Sequence, residues 1–452
     1  MVVGFLNTEG VDLSEILPSG HHIRWSMEII GHSFALSMED ADVIAGALRI
    51  YEKWLGVDAN AKTNDQRPAC MQKVEQAFIQ DLLGQMTLLF EDRVDVARVQ
   101  TDALMAKQVQ LCSRVLDIFE AVTRRRGAQL SAQTWDRIIR LLLGAADGIL
   151  HGSRSVLGNH LCGALVRILF DLYLRSLLSC GPRGELWNLL QKFYRRWIHR
   201  HVVIEQWNSV TLALTRSMMR HLQTLESGKE VDIVWENRLQ SRFDLDMSLV
   251  AYAWYRLIRV VGHPTGFNDP DVYLVALKGI SRLADEFTKI EQIPVVQWDQ
   301  VLGALNSAIG NREADGPGAK ASQPKAANSN GSTSRRSRSP PDVNTILRLL
   351  GPWLFDACLS RSQRYAPCRS EALRCLGKVI TGFSSGRAKR IHWAYAIRSL
   401  MALQTALVES DDRIVASAVF NWSRVFGSYG NHTLRGVAVI AGSFHRGADR
   451  IL

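Results

Sequence analysis

The chain has 452 residues, of which 47% are hydrophobic and 22% are charged, and its formal net charge is +10. This apolar content excludes a wholly disordered protein, and the length predicts about three structural units. No run approaches the ~18 apolar residues of a membrane span, since Asp147 breaks even the run 141–150. Residues 1–10 lack a basic region, unlike a signal peptide, and seven scattered cysteines predict no disulfide framework. We therefore expect a soluble, cytoplasmic protein.

The predicted elements are helices from the first part of the chain onward. Ser37-Met-Glu-Asp40 is a capping-box pattern, and the helix it opens can run to Leu55, where Gly56 offers a stop. A second helix start is predicted at Ser131. Helical apolar stripes recur at Leu82, Leu83, Met86, Leu89 and Phe90 and at Leu165, Ile168, Leu169 and Leu172.

Several tryptophans have an apolar partner three or four residues later, on the same helical face. This spacing predicts that each begins a buried stripe, at Trp135, Trp207, Trp254, Trp298, Trp393 and Trp422. Strand-like alternation is rare, and no Asn-Gly or Asp-Gly joins two strand-like runs, so we predict an all-α fold. The irregular intervals favour a degenerate HEAT or armadillo-type α-solenoid, with a large irregular helical bundle as the alternative.

A low-complexity segment divides the chain. Residues 311–341 contain no Leu, Ile, Val, Met or aromatic residue, and they carry a net charge of +4 (six Lys and Arg against two acids). Such a segment cannot offset its ordering entropy by burial, so it is predicted to be a disordered Ser/Pro/Arg linker. The predicted domains are a helical-repeat domain over 1–310 and a second helical array over 342–452, which we expect to be cut short.

The two densest basic clusters have two interpretations. Arg124–Arg126 precede Gly127, and Arg195-Arg-Trp-Ile-His-Arg-His201 surrounds Trp197. Guanidinium groups beside an exposed tryptophan could bind a nucleic-acid backbone and base. The favoured interpretation is structural, because basic residues stabilise the negative end of a helix dipole.

Candidate chemical sites are weak, and we predict no catalytic residue, cofactor or metal. Gly382-Phe-Ser-Ser-Gly386 with Lys389 lacks the ending of a phosphate-binding loop, which favours a turn between helices. Cys358, Cys368 and Cys375 lack zinc-ligand spacing and are predicted to be buried reduced thiols. The histidine pairs His21-His22 and His199/His201 are predicted to be solvated rather than metal-bound. Ser337 and Ser339 lie among arginines in the linker and are candidate phosphorylation sites.

Three stretches, in the same order along the chain, resemble the N-terminal region of the β subunit of the Ral GTPase-activating protein complex. The first is 23–30, with Phe34-Ala-Leu36, Tyr51 and Trp54 after it. The others are 196–208 and the stretch Val343-Asn-Thr-Ile-Leu-Arg-Leu-Leu-Gly-Pro-Trp-Leu-Phe-Asp-Ala357, which directly follows the predicted linker.

The resemblance implies a non-catalytic regulatory and scaffold subunit. In that family the subunit pairs with a catalytic α subunit, and the heterodimer accelerates GTP hydrolysis on Ral-type small GTPases. The resemblance gives this chain no catalytic residue, and it implies neither a nucleic-acid partner nor a membrane span. Two alternatives stay open: an intrinsically active GTPase-activating enzyme, and a basic α-solenoid that binds nucleic acid.

Overall fold

The computed structural model describes residues 2–6, 17–57, 75–91, 93, 101–152, 155–223, 230–235, 240–288, 343–382, 391–427 and 434–452. Helices dominate these residues, as the sequence predicts. No helix among them is long and apolar enough to cross a membrane. The described residues cluster into two units, Met1–Trp197 and Ile198–Leu452.

The first unit contains α1 to α8. Their bounds are Val2–Leu6, Gly20–Ser33, Ala41–Leu55, Glu75–Met86, Thr101–Arg126, Ala132–Leu150, Val156–Cys180 and Gly184–Trp197. Helix α6 packs on its neighbour α7, and helices two apart also pack, as α5 does on α7 and α6 on α8. The largest buried side chains near the N-terminus are Phe34, Tyr51 and Trp54, and the Tyr51 ring contacts the other two rings.

Local sequence signals explain several helix ends in this unit. The Ser37 hydroxyl accepts from the Glu39 backbone N–H at 3.2 Å, and a 3₁₀ turn leads into α3. Gly56 then adopts φ +65° and closes α3 with backbone hydrogen bonds to Glu52 and Lys53. This left-handed conformation is easy only for glycine. Ser131 caps α6 by accepting from the Thr134 N–H at 3.2 Å, so both predicted helix starts are confirmed.

The second unit contains α9 to α16 and one pair of strands. The helix bounds are His201–Gln223, Met247–Ile258, Pro270–Thr288, Val343–Leu359, Ala366–Thr381, Trp393–Leu407, Asp412–Trp422 and Ala441–Ile451. Most helices that are adjacent in the chain pack on each other, as α9 does on α10 and α12 on α13. Packing also links α9 to α11, α11 to α13 and α13 to α15. Pro352 lies inside α12 and has no N–H, so it cannot bond the carbonyl four residues earlier, at Arg348.

An antiparallel pair of strands, absent from the all-α prediction, lies beside α9. β1 is Glu230–Val234 and β2 is Gln240–Asp244. Val231 and Ile233 on β1 and Phe243 on β2 are buried, while Trp235 donates its indole N–H to the Ser241 hydroxyl at 3.0 Å. Val231, Ile233 and Trp235 alternate with polar residues or residues of the other face, and this alternation indicates a strand. A criterion based on Asn-Gly or Asp-Gly turns does not detect it.

The observed units differ from the domains 1–310 and 342–452 proposed from the linker. The α11 helix packs against α12 and α13, so helices on both sides of residues 311–341 share one unit. The two sides are held together at Tyr273 of α11 and Trp353 of α12. Their rings contact each other, and the Tyr273 hydroxyl donates to the Trp353 backbone carbonyl at 3.0 Å. The predicted linker itself, 311–341, lies outside the described residues.

Candidate functional site

Cys358 lies in α12, and Cys368 and Cys375 lie in α13. All three are buried free thiols, as predicted. Burial raises the pKa of the Cys368 and Cys375 thiols to about 12, and it raises the pKa of Cys358 as well. Such thiols stay protonated near neutral pH, as expected of cysteines that pack in a core.

One histidine of each predicted pair contacts a polar side chain close to it in the chain. The His22 ring lies 2.7 Å from the Ser19 hydroxyl at the start of α2. The His201 ring lies 2.9 Å from the Glu205 carboxylate, one turn along α9. Within the part of the chain that the structure describes, no three His, Cys, Asp or Glu side chains group as metal ligands would.

The first basic cluster, Arg124–Arg126, is the last turn of α5, where the sequence places a helix end. Arg124 pairs with Glu120, which also accepts from Arg167 at 3.0 Å. Arg125 donates to the Gly56 carbonyl at 3.1 Å, and Arg126 is buried. These guanidinium groups are therefore engaged within the fold, which confirms the structural interpretation.

The second basic cluster joins α8 and α9. Asp147 accepts from Arg196 at 2.6 Å and from the Trp197 indole N–H at 3.0 Å. Trp197 is fully buried, and Arg200 is nearly so. Base stacking requires an exposed ring, and the Trp197 ring is not exposed.

The stripe that begins at Trp393 is the one tryptophan prediction that the described residues contradict. Trp135, Trp207, Trp254 and Trp422 are buried, whereas Trp393 is 69% exposed. Trp298 lies outside the described residues. On α14, Ile397 is 49% and Met401 54% exposed, and Val408 just beyond it is 63% exposed. Trp393 and Ile397, which are four residues apart, do share one face of the helix as predicted, but this face points away from the core.

A groove of about 670 Å³ lies beside this exposed face, between α12 and α14. It is lined by Asn344, Thr345, Arg348, His392, Ala394, Tyr395 and Arg398. At one end the Asn344 side-chain oxygen accepts from the His392 backbone N–H at 2.7 Å. The Phe355 ring of α12 and the Tyr395 ring of α14 form a parallel stack, with centroids 6.5 Å apart. The two helices are thus joined at both places.

The groove is positively charged. Its lining contains Arg348, Arg398 and His392 and no acidic side chain. The Arg398 guanidinium carbon lies 5.9 Å from the Phe355 ring centroid, a cation–π contact between α14 and α12. The His392 ring caps α14 by accepting from the Ala394 N–H at 3.3 Å.

This groove could not be predicted from the sequence, because its walls lie about 50 residues apart in the chain. One local signal was available: α14 contains Arg398 as its only charged residue, which is unusual for a helix with an exposed face. The candidate phosphorylation sites Ser337 and Ser339 lie outside the described residues. So do residues 383–390, while Gly382 directly follows α13.

Comparison with known proteins supports a specific relationship. Residues 104–224 match the family model described as the RALGAPB N-terminal domain. The Ral GTPase-activating protein subunit beta of Mus musculus and that of Homo sapiens are each 23% identical over 293 residues, which is 64% of this chain and 18% of the relative. A Rap-GAP domain-containing protein of Dictyostelium discoideum is 27% identical over 206 residues, 44% of this chain and 12% of the relative.

These matches confirm the resemblance to the beta subunit that the sequence predicts. The chain spans less than a fifth of the length of the curated relatives it matches. No solved structure matches it.

Proposed function

We propose that this chain is a non-catalytic regulatory and scaffold subunit of a heterodimeric GTPase-activating complex, acting on Ral-type small GTPases by supporting a catalytic alpha subunit. The observation that carries the proposal is the match of residues 104–224 to the RALGAPB N-terminal domain. The name of the mammalian relatives, subunit beta, supports a role within an assembly.

The contacts of the arginines in the two basic clusters favour a scaffold role over that of an active enzyme. A GTPase activator places a side chain such as an arginine finger beside the γ-phosphate. In the two basic clusters, Arg124, Arg125 and Arg196 instead bind groups of this chain. Their role is to hold helices together, which suits a binding surface of fixed shape.

The packing supports the finer proposal of a degenerate HEAT or armadillo-type architecture. In a helical solenoid, each helix contacts the next helix and the equivalent helix of the neighbouring repeat. Within the first unit α4 packs on α6, and α6 on α8; within the second unit α9, α11, α13 and α15 follow the same rule. Such arrays present long surfaces to partner proteins.

We propose the cytoplasm as the site of action. The described cysteines are all free thiols, and five of the six are buried. Reduced thiols are typical of cytosolic proteins. We also retain Ser337 and Ser339 as proposed phosphorylation sites, which phosphopeptide mapping of the purified protein would test.

The experiment is a single-turnover GTP hydrolysis assay on Ral, combined with co-purification. The chain alone should leave the hydrolysis rate unchanged, and it should co-purify with the catalytic alpha subunit of the complex. Acceleration by the chain alone would favour the enzyme alternative instead. Failure to associate with the alpha subunit would remove the scaffold proposal.

A further inference from the structure

We propose that the exposed face of α14, together with the groove between α12 and α14, binds an amphipathic helix of a partner protein whose apolar stripe is flanked by carboxylates. This inference rests on the geometry of the two helices and does not depend on the proposed function.

The apolar half of the surface follows a single line along α14. Trp393, Ile397 and Met401 are spaced at i, i+4 and i+8, and each is about half exposed or more. A surface helix normally presents polar side chains to water, and a helix that is apolar on all sides is normally covered. An exposed apolar line at helical spacing is the form in which one helix receives the apolar stripe of another.

The charged half of the surface determines the chemistry of the partner. Arg348 and Arg398 face the groove, and among the described residues no carboxylate lies within ion-pair distance of either guanidinium group. Asp356, the acidic residue of α12, lies 3.7 Å from His263. Carboxylates on the incoming helix would complete forked hydrogen bonds with these arginines.

The same charges argue against a second copy of this surface as the partner. A two-fold dimer places identical patches against each other, so Arg348 and Arg398 would meet further arginines. Such like-charge contacts are unfavourable in an interface. A separate acidic helix has no such conflict.

The surface is also preformed. The Asn344–His392 hydrogen bond and the Phe355–Tyr395 stack both join α12 to α14. Binding therefore requires little reordering of this chain, which lowers its entropic cost.

The test uses the whole chain and two labelled helical peptides, followed by fluorescence anisotropy. One designed peptide carries leucines at i, i+4 and i+7 flanked by glutamates, and the other has lysine in place of each glutamate. The glutamate peptide should bind at least about tenfold more tightly than the lysine peptide. Equal binding of the two peptides, or binding of neither, would overturn the proposal.

Variants then locate the binding. Ile397→Asp should weaken binding of the glutamate peptide by at least about tenfold, because it places a charge in the apolar line. The matched control is Val43→Asp on α3, where the native side chain is also partly exposed. If Ile397→Asp fails to fold, the peptide comparison on the unmodified chain still decides the question.

The charge swap is the sharpest step. The double variant Arg348→Glu with Arg398→Glu should lose the preference for the glutamate peptide and bind the lysine peptide more tightly than the unmodified chain does. Arg424→Glu, another exposed arginine of the second unit, is the control and should leave both affinities unchanged.

Two further outcomes would assign the surface to another occupant and so overturn the proposal. One is self-association of the chain that Ile397→Asp abolishes. The other is co-sedimentation with phosphatidylserine vesicles that the same substitution abolishes.

Discussion

Trp207 of α9 and Trp353 of α12 stack inside the second unit, with ring centroids 6.2 Å apart and ring planes inclined by 27°. Trp207 donates its indole N–H to the Leu257 carbonyl at 2.7 Å, and Trp353 also contacts Phe267 and Tyr273. These tryptophans belong to two of the three stretches that carry the family resemblance. The stretches meet in the core, so their motif residues maintain the fold.

Replacing Trp353 with alanine should therefore destabilise the protein strongly. Removing a buried indole leaves a cavity among the surrounding rings, and we expect the free energy of unfolding to fall by about 3–5 kcal/mol. Urea unfolding followed by circular dichroism measures this. Trp25→Ala is the matched control, because Trp25 is 55% exposed, and its unfolding midpoint should hardly move. A loss for Trp353→Ala as small as the one expected for Trp25→Ala would contradict the core position of Trp353.

Gly377 allows α13 and α15 to approach closely. A Cβ atom at this position would lie 2.7 Å from the Asn421 backbone carbonyl oxygen, which cannot rotate away. We expect Gly377→Ala to cost about 1–3 kcal/mol of stability. In Gly442→Ala, the added methyl group meets nothing within 4 Å. That control should be neutral or slightly stabilising because alanine favours the helix, and thermal unfolding of both variants tests the contrast.

Asp147 tests the structural interpretation of the second basic cluster. It accepts from both Arg196 and the buried Trp197 indole, so Asp147→Ala leaves a buried donor without an acceptor. The expected cost is about 1–3 kcal/mol. Asp147→Asn keeps an acceptor oxygen for the indole and should cost less in the same urea titration. No difference between the two variants would contradict the proposed role of Asp147.

The buried cysteines should resist alkylation in the folded protein. Burial raises the pKa of Cys368 and Cys375 to about 12, so at pH 8 only about one molecule in 10⁴ carries the reactive thiolate at either position. Iodoacetamide labelling read by peptide mass spectrometry should modify the partly accessible Cys180 before Cys368 or Cys375. Denaturant should make all three sites reactive, and fast native labelling of Cys375 would contradict its burial.

Helix positions in this chain follow from local chemistry that is visible in the sequence. Ser37, Gly56 and Ser131 mark helix ends because capping depends on residues three or four positions apart. The strand pair was not predicted because the sequence between the two strands contains no Asn-Gly or Asp-Gly, although Val231 and Ile233 alternate as strand residues do.

The surface beside α14 shows where sequence reasoning fails. Periodicity places Trp393 and Ile397 on one helical face, but it cannot tell whether another element covers that face. The answer depends on tertiary packing, as does the groove, whose two arginines, Arg348 and Arg398, come from different helices. The low-complexity segment 311–341 likewise predicts a boundary in the chain, but it cannot show that α11 before it packs on α13 after it.

The central claim is that this chain binds a catalytic subunit of a GTPase-activating complex. Sedimentation velocity of the purified chain mixed with an equimolar amount of the catalytic alpha subunit of the Ral complex tests it most directly. We predict one faster-sedimenting species that contains both proteins. Two separate boundaries at the sedimentation coefficients of the free proteins would contradict the claim.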